Sequence, residues 1–120
     1  GSDAANLKTT AKKTDGGYIL NGTKMWITSG GIAKTYIVMA RTGGEGSKGV
    51  SAFIVTNGMK GFSFGKAEKK MGWKTSPTRE LVFENCFVPE ENRLLAEGEG
   101  FKVAMGGLDR GRVAIAAIGV

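Results

Sequence analysis

The chain has 120 residues, the length of one domain or of a domain plus a fragment, and 41% of them are hydrophobic, enough for a real core. It has no histidine and one cysteine, Cys86, which excludes histidine acid–base chemistry, a histidine-ligated metal and an intrachain disulfide, and leaves no realistic zinc site. Lys and Arg outnumber Asp and Glu by 17 to 11, and the net charge of +6 suits either an anionic partner or a solvated basic face.

Twenty glycines beside two prolines, with no collagen period and no low-complexity run, predict many tight turns and a β-rich domain. No stretch reaches the length of a transmembrane helix. The lone cysteine fits a reduced intracellular setting, and its strand-like surroundings, Leu81 to Val88, predict a buried, inert thiol. The chain opens at Gly1 without Met and stops inside the apolar run Val113 to Val120, which reads as a piece of a larger protein.

In chain order, Leu7 to Thr14 alternates weakly as a strand, and Asp15-Gly16-Gly17 is a turn signal. Tyr18-Ile19-Leu20 is a second strand. Asn21-Gly22 predicts a two-residue hairpin turn, and Thr23 to Thr28 a third strand, making an antiparallel meander. Ser29-Gly30-Gly31 breaks the chain. Thr35 to Arg41 is mostly apolar and reads as a strand covered on both faces. Gly43 to Gly49 is a polar loop, followed by strands at Val50 to Val55, Gly61 to Gly65 and Arg79 to Phe87, the last stopped by Pro89. Short strands at this spacing predict a small barrel or sandwich with no internal repeat.

The pattern changes near Gly98. From Phe101 onward the apolar residues Phe101, Met105, Leu108, Ile115 and Gly119 share one helical face, so the reading divides the chain into a β unit, 1–97, and the start of a helical one, 98–120. Gly98-Glu99-Gly100-Phe101 lacks the third glycine of a dinucleotide loop, and no phosphate loop is present.

Three groups could carry chemistry. Gly1-Ser2-Asp3 is either a helix cap or an anion-facing loop. In Trp26-Ile27-Thr28-Ser29-Gly30-Gly31 the indole could stack on a planar ligand, Thr28 could hydrogen-bond a ring atom, and the glycines would allow close backbone approach. The alternative is a core tryptophan ahead of a loose turn. In Asp109-Arg110-Gly111-Arg112, Arg112 falls within ~20° of Phe101 on the wheel, inside the apolar stripe. A guanidinium there needs a buried partner, either Asp109 or a ligand. Gly111 inside a helix costs about 1 kcal/mol against Ala and points to close packing.

These groups, in this order, resemble the acyl-coenzyme A dehydrogenase family. The block Asn21-Gly22-Thr23-Lys24-Met25-Trp26-Ile27-Thr28 is highly specific. Supporting stretches are Met71 to Arg79, Val82 to Pro89 and Gly98 to Arg112, and the short- and branched-chain members look nearest. The resemblance implies an all-β middle domain, a small antiparallel β-barrel, followed by the first helix of an α-helical C-terminal domain. It implies FAD as cofactor, with Gly1, Ser2, Trp26, Ile27 and Thr28 on the flavin side. Ser2, Ser47, Asp109, Arg110, Gly111 and Arg112 would face the acyl-coenzyme A. The implied reaction is α,β-desaturation of the thioester, with electrons leaving through an electron-transferring flavoprotein. The implied whole protein is a homotetramer of the mitochondrial matrix or the bacterial cytoplasm.

The family's usual catalytic glutamate would lie beyond Val120, so no catalytic residue is assigned and the segment alone is expected to be inert. Two other readings compete. An acyl-coenzyme A oxidase or flavin monooxygenase relative would share the barrel. A basic nucleic-acid-binding barrel would need exposed aromatics interleaved with Lys and Arg, whereas the 8% of aromatics here mostly occupy apolar strand positions.

Overall fold

The computed structural model describes residues 3–120; Gly1 and Ser2 lie outside the described residues. It contains seven strands and one helix: β1 (Thr10–Thr14), β2 (Gly17–Thr28), β3 (Thr35–Arg41), β4 (Val50–Thr56), β5 (Phe62–Ala67), β6 (Thr78–Pro89), β7 (Arg93–Leu94) and α1 (Gly100–Ile118). The strands form one sheet in the order β5-β6-β2-β1-β3-β4-β7. Every pairing is antiparallel except β1 with β3, which is parallel and touches at the single pair Thr10↔Arg41.

The expected antiparallel barrel is therefore corrected to an open, mixed sheet, with β5 and β7 as its edges. Closure needs a continuous ladder around the ring. Here the edge strand β7 is two residues long, and the centre of the sheet is joined by that one parallel pair. The sheet nonetheless folds over itself. Tyr18 on β2 meets Phe53 on β4 with ring centroids 4.9 Å apart, and Tyr36 on β3 meets Phe62 on β5 at 5.2 Å. Between the two halves lies one core that includes Leu20, Val38, Val55, Leu81, Phe83, Cys86 and Val88. Cys86 is buried as its surroundings predict, and burial pushes its thiol pKa up.

Two strand readings change. The meander's second and third strands are one strand: β2 runs through Asn21-Gly22 without a hairpin turn, and a bulge on the facing strand sets Glu84 and Asn85 of β6 opposite Asn21 alone. Asn21 is held there from across the sheet. Its amide oxygen accepts the Asn85 N–H at 2.8 Å, and its amide nitrogen donates to the Asn85 side chain at 3.2 Å. Gly22 takes φ 137°, and a Cβ on it would stand 2.8 Å from the Thr9 Cα. Secondly, β3 is covered on one face only. Tyr36, Val38 and Ala40 are buried while Ile37 faces solvent, and β4 is the strand buried on both faces.

The helix begins one residue before its expected start. Gly100 packs so closely on the Ser51 backbone that no side chain fits there. Gly98, at φ 80°, turns the chain into it, and its N–H donates to Ser51 Oγ at 3.0 Å. From Gly106 onward every residue of α1 is exposed, so the helix stands clear of the sheet.

Candidate functional site

The local backbone decides where the Trp26 indole points. The β2–β6 register shifts between Lys24↔Leu81 and Ile27↔Arg79, so β2 carries two residues, Met25 and Trp26, with no partner on β6. Trp26 absorbs the extra length at φ 60°, a left-handed conformation that costs a non-glycine residue about 1–2 kcal/mol. The result swings the indole outward, 67% exposed, while the next residue, Ile27, packs against the core. Thr28 closes the ladder opposite Thr78 and is exposed. An open aromatic face, an exposed hydroxyl two residues on and a strained backbone thus sit together at one end of the sheet. The core-tryptophan alternative is excluded.

The loop that follows is tightly organised. Ser29, at φ 62°, donates its N–H to Pro77 O at 2.8 Å, and its carbonyl accepts from the Tyr36 hydroxyl at 3.3 Å. The two glycines serve Arg79. A Cβ on Gly31 would lie 2.7 Å from an Arg79 guanidinium nitrogen, and one on Gly30 would lie 3.0 Å from its Cβ. Arg79 also donates Nε–H to Gly65 O at 2.8 Å and stands 5.8 Å from the centre of the Phe64 ring. Sequence reasoning assigned the glycines to ligand approach and gave Arg79 no role. The signal, Gly30-Gly31 separated by 48 residues from the arginine they admit, is not local.

Beside this end, Lys24 pairs with the buried Leu81 on the core side of β2, and desolvation lowers its pKa to about 8.

Ser47 lies at the opposite end. It opens a short 3-10 turn, Ser47–Gly49, in the β3–β4 connection, and β3, roughly 20 Å long, separates it from the Trp26 end. Asp109 and Arg112 form an ion pair at 3.6 Å on α1, but both side chains are about three-quarters exposed. Of the two partners expected for the guanidinium, Asp109 is the one seen, and among the described residues nothing covers that helix face, so the pair is solvated. Arg110 and Gly111 are exposed as well. Leu108, Gly111, Arg112 and Ile115 border a shallow, almost wholly apolar hollow of about 410 Å³ along the helix. A wider hollow of about 730 Å³ lies over β1, lined by Lys12, Lys13, Asn21, Arg41 and Asn85 among others, and includes none of the Trp26 group. The structure therefore gathers Trp26, Ile27 and Thr28 and keeps Ser47 and the α1 residues apart from them. The expected roles of Gly1 and Ser2 lie outside the described residues.

The family model for the acyl-CoA dehydrogenase middle domain matches residues 1–86. The chain belongs to the acyl-CoA dehydrogenase family. It is 55% identical over 118 residues to the mitochondrial isovaleryl-CoA dehydrogenase of Arabidopsis thaliana, covering 98% of this chain and 29% of that protein. To an acyl-CoA dehydrogenase of Bacillus subtilis it is 52% identical, covering 98% and 31%. Among solved structures, butyryl-CoA dehydrogenase from Megasphaera elsdenii superimposes with a TM-score of 0.94 at 51% identity, covering 98% of this chain and 31% of that one. A chain in a structure described as the electron transferring flavoprotein of Acidaminococcus fermentans gives 0.94 at 55%, with the same coverage. The acyl-CoA dehydrogenase middle domain described here thus spans under a third of the length of these relatives.

Proposed function

We propose that this chain is the FAD- and thioester-binding part of an enzyme that desaturates short or branched acyl-CoA thioesters between the α and β carbons. Residues 98–120 then begin its following helical domain. The observation that carries the reading is the Trp26 indole, held open at the β2 bulge two residues before the exposed Thr28 hydroxyl. The donor set fits a flavin. An indole face suits a flat ring, a hydroxyl suits a ring nitrogen or oxygen, and Ile27 offers backbone groups while its side chain anchors the strand. Bound there, FAD supplies the acceptor for the β-hydride.

The chain's own residues position and exclude. Trp26 covers one side of the ring and keeps water from it. Thr28 fixes the ring's orientation through a hydrogen bond. Gly1 and Ser2, which fall outside the described residues, keep the flavin and acyl-chain roles that the family resemblance implies. Asp109, Arg110, Gly111 and Arg112 line the pantetheine channel, and their exposure in this structure leaves that helix face free to be lined. Ser47 meets the outer coenzyme A. The catalytic base comes from outside the chain.

The partner on the electron side is an electron-transferring flavoprotein, a reading supported by the Acidaminococcus fermentans likeness. Relatives from mitochondria and from a bacterium fit a matrix or cytoplasmic location, and no helix among the described residues is long and apolar enough to cross a membrane. A homotetramer is the expected assembly. The burial of Tyr18, Tyr36, Phe53, Phe62 and Phe83 weighs against a nucleic-acid-binding surface, which needs its aromatics in the open.

The test is the visible spectrum of the complete protein, followed by anaerobic titration with a panel of acyl-CoA thioesters. Flavin bands that bleach with a short or branched thioester support the reading. A colourless protein, or bands that no thioester bleaches, would end it. Oxygen consumption during turnover would point to an oxidase instead.

A further inference from the structure

Arg41 ends β3, and its guanidinium is committed to backbone carbonyls. Nε donates to Leu7 O at 3.1 Å, and one terminal nitrogen donates to Ala5 O at 2.6 Å. The other donates to Gly44 O at 2.6 Å and Gly46 O at 3.2 Å. Its backbone N–H adds a bond to Thr9 O at 2.7 Å. Among the described residues no carboxylate forms an ion pair with it. A rigid planar fork with five donors can hold four carbonyls in fixed directions, which a lysine cannot do.

The carbonyls belong to two segments that meet at this residue. Ala5 and Leu7 lie on the stretch that leads in from Gly1-Ser2-Asp3. Gly44 and Gly46 lie on the β3–β4 loop, and Gly46, at φ 82°, directly precedes Ser47. The Gly49 carbonyl closes that loop from the other side, accepting the Thr42 and Gly43 N–H groups at 2.9 and 3.2 Å. The guanidinium is therefore the tie between a loop and a lead-in more than 30 residues apart in sequence.

We propose that Arg41 is a positioning residue for the thioester. It locks the Ser47 loop and the Ala5–Leu7 lead-in into one unit, so that the outer coenzyme A meets a preformed surface at Ser47. This rests on the proposed assignment of Ser47 to the thioester. The role acts through binding geometry, so its loss falls on KM for the coenzyme A ester more than on kcat.

The experiment uses the complete flavin-loaded protein and the variants Arg41→Gln and Arg41→Lys, with one acyl group presented as its coenzyme A ester and as its N-acetylcysteamine ester. Amide hydrogen exchange is read in parallel. Arg41→Gln is expected to raise KM for the coenzyme A ester about tenfold, to move the truncated ester less than about twofold, and to speed exchange in residues 5–9 and 43–49 together. Arg41→Lys should fall between, and it keeps the question answerable if the glutamine variant does not fold. An equal KM change for both esters, or exchange that rises in one segment alone, overturns the proposal. A wild-type protein that turns over neither ester sinks the thioester reading and this proposal with it. Normal wild-type turnover with unchanged KM values in the variants sinks the proposal alone.

Discussion

The Arg93 guanidinium donates to the Tyr18 hydroxyl at 2.8 Å, and that hydroxyl also bonds the Glu97 carboxylate. Tyr18 is fully buried on β2, its ring against Phe53, while Arg93 and Glu97 bracket the turn into α1. One phenol thus ties the middle of the sheet to the junction that sets the helix. Burial, reinforced by the Glu97 hydrogen bond, raises the tyrosine's pKa, so the hydroxyl keeps its proton over the whole working range.

Tyr18→Phe keeps the ring packing and removes the bridge. It should cost about 1–3 kcal/mol, the range for stripping a buried hydrogen-bond partner from charged groups, and should raise amide exchange near Glu97 and Gly98. Denaturant unfolding checks the first effect. A loss below about 0.5 kcal/mol would mean the bridge is idle.

Gly22→Ala should destabilise by more than the usual helix-to-glycine scale. The new methyl would meet the Thr9 Cα at 2.8 Å, and φ 137° is a conformation that L side chains rarely adopt. About 2 kcal/mol or more is expected, read by urea denaturation. Gly44→Ala is the control: a Cβ there meets no other group within 4 Å.

Lys24 supplies a pH signature. Its pKa falls from 10.5 to about 8 on folding, so the unfolded chain binds more protons between those values. Stability should therefore rise as pH climbs from about 8 to about 10.5, and below 8 the full penalty of charging the amine is present. Because solvent still reaches the side chain, the change is put at about 1 kcal/mol. Lys24→Met should remove this slope and stabilise the protein at neutral pH. A variant with the wild-type slope would contradict the assignment.

Much of the sheet was legible because its signals are local. Asp15-Gly16 joins β1 to β2 as expected, and Thr35–Arg41 is the observed β3 to the residue. Asn21-Gly22 misled because the step stays inside β2, held opposite a bulge on β6 where Asn85, 64 residues on, bonds the Asn21 side chain. Closure was not legible either, since it depends on how far β1 and β3 run together. At the site, the sequence left the indole open between a ligand face and the core, and the bulge and strain at Trp26 that turn it outward, like the seating of Arg79 on Gly30 and Gly31, required coordinates. The burial state of Arg112 was not legible, because a helical wheel shows which residues share a face, not whether another element covers it.

The open indole and its neighbouring hydroxyl are the centre of the account, and reduction of the bound flavin tests them most directly. In the complete protein, Trp26→Ala and Thr28→Ala should each lower flavin content or slow its anaerobic reduction by a good acyl-CoA thioester, by about tenfold or more for at least one of the two. Both are exposed in this structure, so thermal stability should hardly change. Wild-type flavin content, spectrum and reduction rate in both variants would show that this edge of the sheet does not touch the cofactor.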